Sequence, residues 1–203
     1  MIENQERQEA DMYYTKTYDS PLGELMIAAD DNGLAGLWIE GQKYFEDMGD
    51  AKITSAAEFT PGSEVDRGNR AVDILEQTCS WLDRYFAGEK PQISELPLAP
   101  SGSDFRHMVW EILCDIPSGQ TTTYGEIAKK IAARTGRSTM SAQAVGGAVG
   151  HNPISIIIPC HRVVGTNGSL TGYAGGIDKK IALLELEGVD MTKYFVPKKG
   201  TAL

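Results

Sequence analysis

Residues 156–164 read IIIPCHRVV, which sets a cysteine between a proline and a histidine directly after a run of isoleucines. Three chemistries suit Cys160: a packed inert thiol, a metal ligand, or a nucleophile. A free thiol has a pKa of about 8.5 and is mostly protonated at neutral pH. Attack on carbon therefore needs a base or a positive environment. His161 and Arg162 follow directly. Neighbouring side chains on an extended strand point to opposite faces, so contact between Cys160 and His161 requires irregular backbone. Pro159 supplies a reason for one, because it cannot donate to a ladder and constrains its neighbours. On residue chemistry alone the buried inert thiol leads and the nucleophile follows. Cys79, Cys114 and Cys160 are widely spaced, and His107, His151 and His161 are scattered, with no Cys-x-x-Cys pair. A structural zinc usually clusters its ligands, so no metal site is expected, and the odd cysteine count argues against a disulfide framework.

The elements that must position this block are legible around it. ISIII, residues 154–158, reads as a buried strand leading into Pro159. Upstream, Thr123-Tyr124-Gly125-Glu126 has capping-box spacing and starts a short helix to about Ala133. TGRS makes a turn, and a second short helix over 139–149 ends at Gly150, Asn152 and Pro153. Two short helices around a tight turn suggest a helix-turn-helix over about 123–150. The second helix holds Ala142, Ala144, Gly146, Gly147 and Ala148. Mid-helix glycine costs about 1 kcal/mol relative to alanine. Either tight helix packing or close approach of a bulky ligand explains these small residues. Downstream, HRVVGT and SLTGYA flank Asn167-Gly168, a hairpin turn. Asp178 is placed to cap a last helix that ends at Gly188.

The first hundred residues have a different character. LMIAAD and LAGLWIE flank Asp31-Asn32-Gly33 and predict antiparallel β structure. Residues 41–63 are polar and read as a helix or loop, with a break at Pro61-Gly62. Val72, Leu75, Cys79, Leu82 and Phe86 form one stripe on a helix spanning Val65 to Phe86, with Gly88 as its stop. Residues 89–103 hold three prolines and read as a linker. Ser103 or Asp104 caps the next helix, which runs to roughly Ile116 with Phe105, Val109, Ile112 and Ile116 facing one way and Cys114 off that face. The expected class is α+β, with a small sheet-plus-helix unit at 1–100 and a mostly helical unit at 101–203.

Charge divides at the same place. Net charge is −9, yet residues 1–100 hold 8 Lys/Arg against 20 Asp/Glu, and residues 101–203 hold 11 against 8. The acidic excess lies in the first half, and the second half can face a phosphate backbone. The N-terminal stretch has no apolar core of a signal peptide, and no apolar run approaches the roughly 18–20 residues that span a bilayer. A cytoplasmic protein with no membrane contact is expected.

PCHRVVG, the upstream AVGGAVGHNP and the downstream GYAGG together resemble the O6-alkylguanine-DNA alkyltransferases, the methylated-DNA–protein-cysteine methyltransferases. SPLGELMIAADDNGLAGLWIEGQ is similar to the N-terminal, ribonuclease H-like domain of bacterial members, and FRHMVWEILCDIPSGQTTTYGEIA to the start of their catalytic domain. The resemblance covers nearly the whole chain. It implies stoichiometric repair without a cofactor: the Cys160 thiolate takes the alkyl group from O6-methylguanine, and from O4-methylthymine, and the protein is consumed. By the same resemblance His161 is a base acting through a water, and Glu187 is the carboxylate that orients it. By spacing alone Glu187 is an exposed helix-end residue. Asn152 braces the turn between helix and active-site strand.

The target lies inside a duplex, so the resemblance also implies base flipping through minor-groove binding by a monomer. Tyr124 then crowds the phosphate and donates to the flipped base. The Cys160 and Val163 carbonyls read the guanine amino group, the Ala174 amide faces O6, Tyr173 closes the pocket, and Lys180 sits at its edge. Ala142, Gln143, Gly146, Gly147 and Arg162 meet DNA. Two positions depart from the pattern: Gln143 stands where many members carry an intruding arginine, and Ala174 where some carry serine. The zinc site of some relatives has no counterpart in the first hundred residues, which hold one cysteine and no histidine. Three alternatives compete: a lesion binder without transfer, a cysteine hydrolase, and a transcription regulator. The first is opposed by the presence of Cys160.

Overall fold

The computed structural model describes residues 12–45, 52–56 and 69–198. The break at Pro61-Gly62 and the expected helix start at Val65 lie outside them. Strands β1 (Met12–Ser20), β2 (Gly23–Ala29), β3 (Leu34–Ile39) and β4 (Lys52–Ser55) form a sheet in the order β3-β2-β1-β4. β1–β2 and β2–β3 are antiparallel, as the turn chemistry predicts, and β4 adds in parallel to β1. That last strand was missed, because Lys52–Ser55 is too short and too isolated to show a period. At the β2–β3 turn the Asp30 carboxylate accepts the Asn32 and Gly33 amides at 2.8 and 2.9 Å.

Helix α1 (Asn69–Phe86) lies on the sheet. Its buried face is Ala71, Ile74, Leu75, Thr78, Trp81, Leu82 and Tyr85. The expected stripe is thus rotated: Leu75 and Leu82 are on it, while Val72, Cys79 and Phe86 are only half-buried at its border. Residues 89–103 do not behave as a free linker. The Leu34 amide donates to the Pro97 carbonyl at 2.7 Å and the Ala99 amide returns to Leu34 at 2.8 Å. This segment covers part of β3, an edge that unpaired would be open to aggregation.

Helices α2 (Asp104–Cys114), α3 (Tyr124–Thr135) and α4 (Ala142–Gly150) pack together. Ser103 caps α2, and Thr123 caps α3 in the predicted box with Glu126. The Trp110 indole N–H donates to the Ala148 carbonyl at 3.0 Å, tying α2 to α4. Helix α5 (Ile177–Leu186), followed by a 3₁₀ turn at Met191–Lys193, is the last α-helix among the described residues. Its cap position is Gly176, at φ 97°, without a side-chain cap; Asp178 lies inside the first turn and is not the cap. Buried apolar residues from both halves form one continuous cluster.

Two local expectations change. ISIII is buried but is not a strand: Ile154 makes one bridge to Leu37, 155–157 are turns and 158 is a bend. The Asn167-Gly168 turn forms, but its flanks pair elsewhere. β6 (Val163–Val164) runs parallel to β5 (Thr122–Thr123), and Ser169 bridges Phe195. The apolar, β-branched run carried a strand signal that tertiary contacts overrode. Among the described residues no helix is long and apolar enough to cross a membrane.

Candidate active site

The active-site turn is built from Asn152. Its Oδ1 accepts the Ile154 amide at 3.0 Å, and its Nδ2 is shared among Ile158 O at 2.8 Å, Ile154 O at 3.3 Å and Cys160 Sγ at 3.1 Å. One buried side-chain amide thus holds both ends of the isoleucine segment and reaches the sulfur. Ile156 inside it sits at φ 70°. A β-branched residue adopts this region only where its surroundings impose it. From the sheet, the Leu37 amide donates to Pro153 O and the Ser155 amide to Leu37 O, both at 2.8 Å.

Cys160–Arg162 then form one 3₁₀ turn. Successive residues in such a turn are about 120° apart rather than opposed, which is the irregular backbone that adjacent Cys and His require. Cys160 is buried, and burial pushes its thiol up, opposed by the Asn152 hydrogen bond and the Lys180 charge. Its resting form at neutral pH is the thiol.

His161 and Glu187 are both buried, with His161 Nε2 2.8 Å from Glu187 Oε1. Burial pushes the Glu187 carboxyl up, but hydrogen bonds from His161 and Arg162 and the Arg162 charge outweigh it, leaving the group far below its ordinary range. An ionised carboxylate only accepts, so His161 Nε2 carries the proton that donates to it. Burial lowers the His161 pKa despite the carboxylate, so the ring is neutral at pH 7. In a neutral ring with the proton on Nε2, Nδ1 has the lone pair. Nδ1 is buried and without a hydrogen-bond partner.

Glu187 is a junction rather than the exposed helix end that spacing suggests. It is 6% exposed. Oε1 also accepts from Tyr85 Oη and Arg162 Nη2, both at 2.8 Å. Oε2 accepts from Arg162 Nε at 2.9 Å and the Gly119 amide at 3.3 Å. Arg162 Nη1 donates to Ile116 O. Arg162 was expected to meet DNA; the structure corrects this, because the side chain is buried and its nitrogens are committed to Glu187 and Ile116. Sequence reading missed Tyr85 and Gly119, which are 102 and 68 residues from Glu187. Tyr85 carries no local signal other than its place on the buried face of α1.

Around the sulfur the expected pocket residues take defined positions. Lys180 is fully buried rather than at an edge, and its Nζ donates to Val163 O at 2.6 Å and Thr171 O at 2.8 Å. Burial pulls its pKa down to about 8. Lys180 therefore pins the Val163 carbonyl, whose second lone pair stays available to another donor. Tyr124 donates to Thr171 O and Gly172 O at 3.2 and 3.3 Å, and burial pushes it up to about 12. A side chain at Gly172, φ 64°, would place its Cβ 2.8 Å from that hydroxyl. Tyr173 and Ala174 are half-buried on the same loop; the Tyr173 hydroxyl is buried with no partner of hydrogen-bond geometry.

On α4, Ala142, Gln143, Ala144 and Gly147 are exposed and Gly146 is half-buried. A Cβ at Gly147 would meet nothing within 4 Å, and one at Gly146 would touch only the Tyr124 ring at 3.8 Å. Packing inside this chain does not require these glycines. Lys129, Lys130 and Arg137 are exposed on α3 and the turn that follows it. Among the described residues no group of three or more His, Cys, Asp or Glu could hold a metal ion.

The chain matches two family descriptions: "6-O-methylguanine DNA methyltransferase, ribonuclease-like domain" over residues 12–100, and "6-O-methylguanine DNA methyltransferase, DNA binding domain" over residues 104–189. A methylated-DNA–protein-cysteine methyltransferase of Methanosarcina acetivorans is 40% identical over 178 residues, covering 87% of this chain and 99% of that one. Its counterpart in Mycobacterium bovis is 43% identical over 176 residues, covering 87% and 93%. A crystal structure of Mycobacterium tuberculosis OGT in complex with DNA superposes with a TM-score of 0.65 at 39% identity, covering 90% of this chain and 94% of that chain. The thiol, the neutral imidazole held by a buried carboxylate, and these likenesses along both halves agree: the chain belongs to the 6-O-methylguanine DNA methyltransferase family.

Proposed function

We propose that this protein repairs DNA by moving the alkyl group of O6-alkylguanine, and of O4-methylthymine, onto Cys160. The observation that carries the mechanism is the His161 ring: Nε2 is fixed on Glu187, so the free lone pair is on buried, unpartnered Nδ1. Through a bridging water, Nδ1 takes the Cys160 proton. The thiolate attacks the alkyl carbon, the S–C bond forms, and the C–O6 bond breaks with its electron pair staying on the base. Guanine then regains a proton at N1. A thioether has no ready leaving path, so each copy acts once. The chemistry needs no cofactor. Asn152 and Lys180 steady the developing thiolate, one by hydrogen bond and one by charge.

The lesion reaches the sulfur by flipping out of the duplex. The exposed small face of α4, which internal packing leaves without a reason, supports entry of that helix into the minor groove, with Gln143 at the intruding position. Tyr124, Val163, Tyr173 and Ala174 line the pocket for the flipped base. We read the chain as a monomer in the cytoplasm, divided near residue 100 into a ribonuclease H-like and a catalytic part.

Incubation with a duplex carrying O6-methylguanine, followed by intact mass, tests this. One methyl gain per protein, absent in Cys160→Ala, is expected. Tight lesion binding without any gain overturns transfer in favour of a lesion binder.

A further inference from the structure

We propose that Tyr85, on helix α1 of the N-terminal half, is a positioning residue for alkyl transfer: its hydroxyl holds the Glu187 oxygen that faces His161. The inference rests on the Cys160–His161–Glu187 reading given above. Tyr85 Oη lies 2.8 Å from Glu187 Oε1, the same oxygen that lies 2.8 Å from His161 Nε2. Burial pushes the Tyr85 hydroxyl well up, and the Glu187 charge adds to this, so it stays a donor at every working pH. Its ring is fixed from both sides, stacked on Trp81 with centroids 5.4 Å apart and edge-on to Phe86 at 5.3 Å.

The groups that face Glu187 are few. His161 and Arg162 come from the active-site turn, the Gly119 amide from the loop after α2, and Tyr85 from α1. Lys180 and Arg162 act on His161 by charge. Arg162 and Gly119 belong to the C-terminal half, as does Glu187 itself. Tyr85 is the one contact in this set that the N-terminal half supplies. A cavity of ≈ 690 Å³ lies beside it, lined by Tyr85 and Arg162 among others, while Glu187 is not among its lining residues. Tyr85 and Arg162 thus stand between that space and the carboxylate.

The effect on the base has a definite sign. Donation by Tyr85 withdraws charge from Oε1 and limits how strongly Glu187 stabilises an imidazolium. Without that donor the carboxylate is a stronger partner for charged His161, and the neutral base form is reached only at higher pH.

The test is single-turnover methyl transfer from an O6-methylguanine duplex as a function of pH, for wild type, Tyr85→Phe and Tyr18→Phe. Tyr85→Phe keeps the ring and loses the hydroxyl. Tyr18→Phe is the matched control, since Tyr18 donates from β1 to Asp83 on the same helix at 2.7 Å and does not touch Glu187. Tyr85→Phe is expected to slow transfer at neutral pH by up to about threefold and to move the midpoint of the rate–pH curve up by about half to one unit. Duplex affinity stays within about twofold, a split that a folding defect does not give. Tyr18→Phe matches wild type. An unmoved midpoint in Tyr85→Phe overturns the inference, whether its rate equals that of wild type or falls together with that of Tyr18→Phe. If wild type itself gains no methyl, the underlying reading falls, and the inference with it; the two failures are distinct in the same data.

Discussion

Glu187 and His161 leave water together: burial holds His161 neutral against the pull of the carboxylate, and the donors from His161 and Arg162 hold Glu187 ionised. The ordinary histidine value is 6.5 and burial lowers it here, while the ordinary glutamate value is 4.5 and its donors hold it lower still. In both cases the unfolded chain binds more protons than the folded one, so acid favours unfolding. The His161 contribution is present above pH 6.5 and is lost as pH falls below it; the Glu187 contribution is lost below pH 4.5. Urea midpoints are therefore expected to fall between about pH 7.5 and pH 5.5 in wild type, and to fall less over that interval in His161→Gln. A flat wild-type curve over that range contradicts a neutral buried His161. Lys180 acts in the alkaline range with the same slope. Its folded value of about 8 lies below the ordinary 10.5, so the cost of burying its charge is relieved as pH rises between them.

At the scale of elements, α4 separates stability from binding. Gly147 is exposed and helical, and a Cβ there would meet nothing within 4 Å. Gly147→Ala should stabilise the fold by about 0.5–1 kcal/mol through helix propensity. The same methyl sits on the face assigned to the groove, so duplex affinity should fall; thermal melting and a binding isotherm on one preparation read both. If affinity rises or holds, the groove assignment for this face is wrong. Gln143→Arg adds a cation on that exposed face, and it should raise affinity and steepen the log affinity–log salt slope by about 0.9. Much of this element was legible in the sequence: the capping box, the two helices and their small residues are local patterns, and they form, though the second helix starts at Ala142 behind a Ser141 cap rather than at 139. The isoleucine segment was not. Its apolar, branched composition suits a strand, while its turns depend on the Asn152 amide and on Leu37 of β3. Burial of Glu187 was equally invisible, because all of its donors, Tyr85, Gly119, His161 and Arg162, are 25 or more residues away in sequence. The neighbours of Cys160 favour an inert thiol and only the family resemblance names transfer there, while the direction in which the His161 ring presents its lone pair is legible in neither.

At the scale of the molecule, the two halves are not independent beads. β3 takes up residues 97–99 on one stretch and residues 153–155 on another, and buried apolar groups run continuously between the halves. Expressing residues 101–203 alone removes the Leu37 partners of the active-site turn and the Tyr85 donor together. That fragment should melt more than about 10 °C below the whole chain, as the loss of several kcal/mol implies. It should also transfer methyl more slowly even where it is folded. Equal melting and equal rate would make the N-terminal half dispensable.

The uneven charge has a consequence for how the protein meets a duplex. Among the described residues the first half carries −4 (6 Lys/Arg against 10 Asp/Glu) and the second half +2 (10 against 8), so the body has a dipole as well as the chain's net charge of −9. In the field of a polyanion such a body is repelled as a whole and turned as it approaches, acidic half outward. Encounters that survive the repulsion arrive with the cations of α3 and the face of α4 leading. Added salt then has two opposed effects: it screens the overall repulsion at long range and weakens the phosphate contacts at short range. The arrival rate of this protein on DNA should consequently depend on ionic strength far less than its dwell time does.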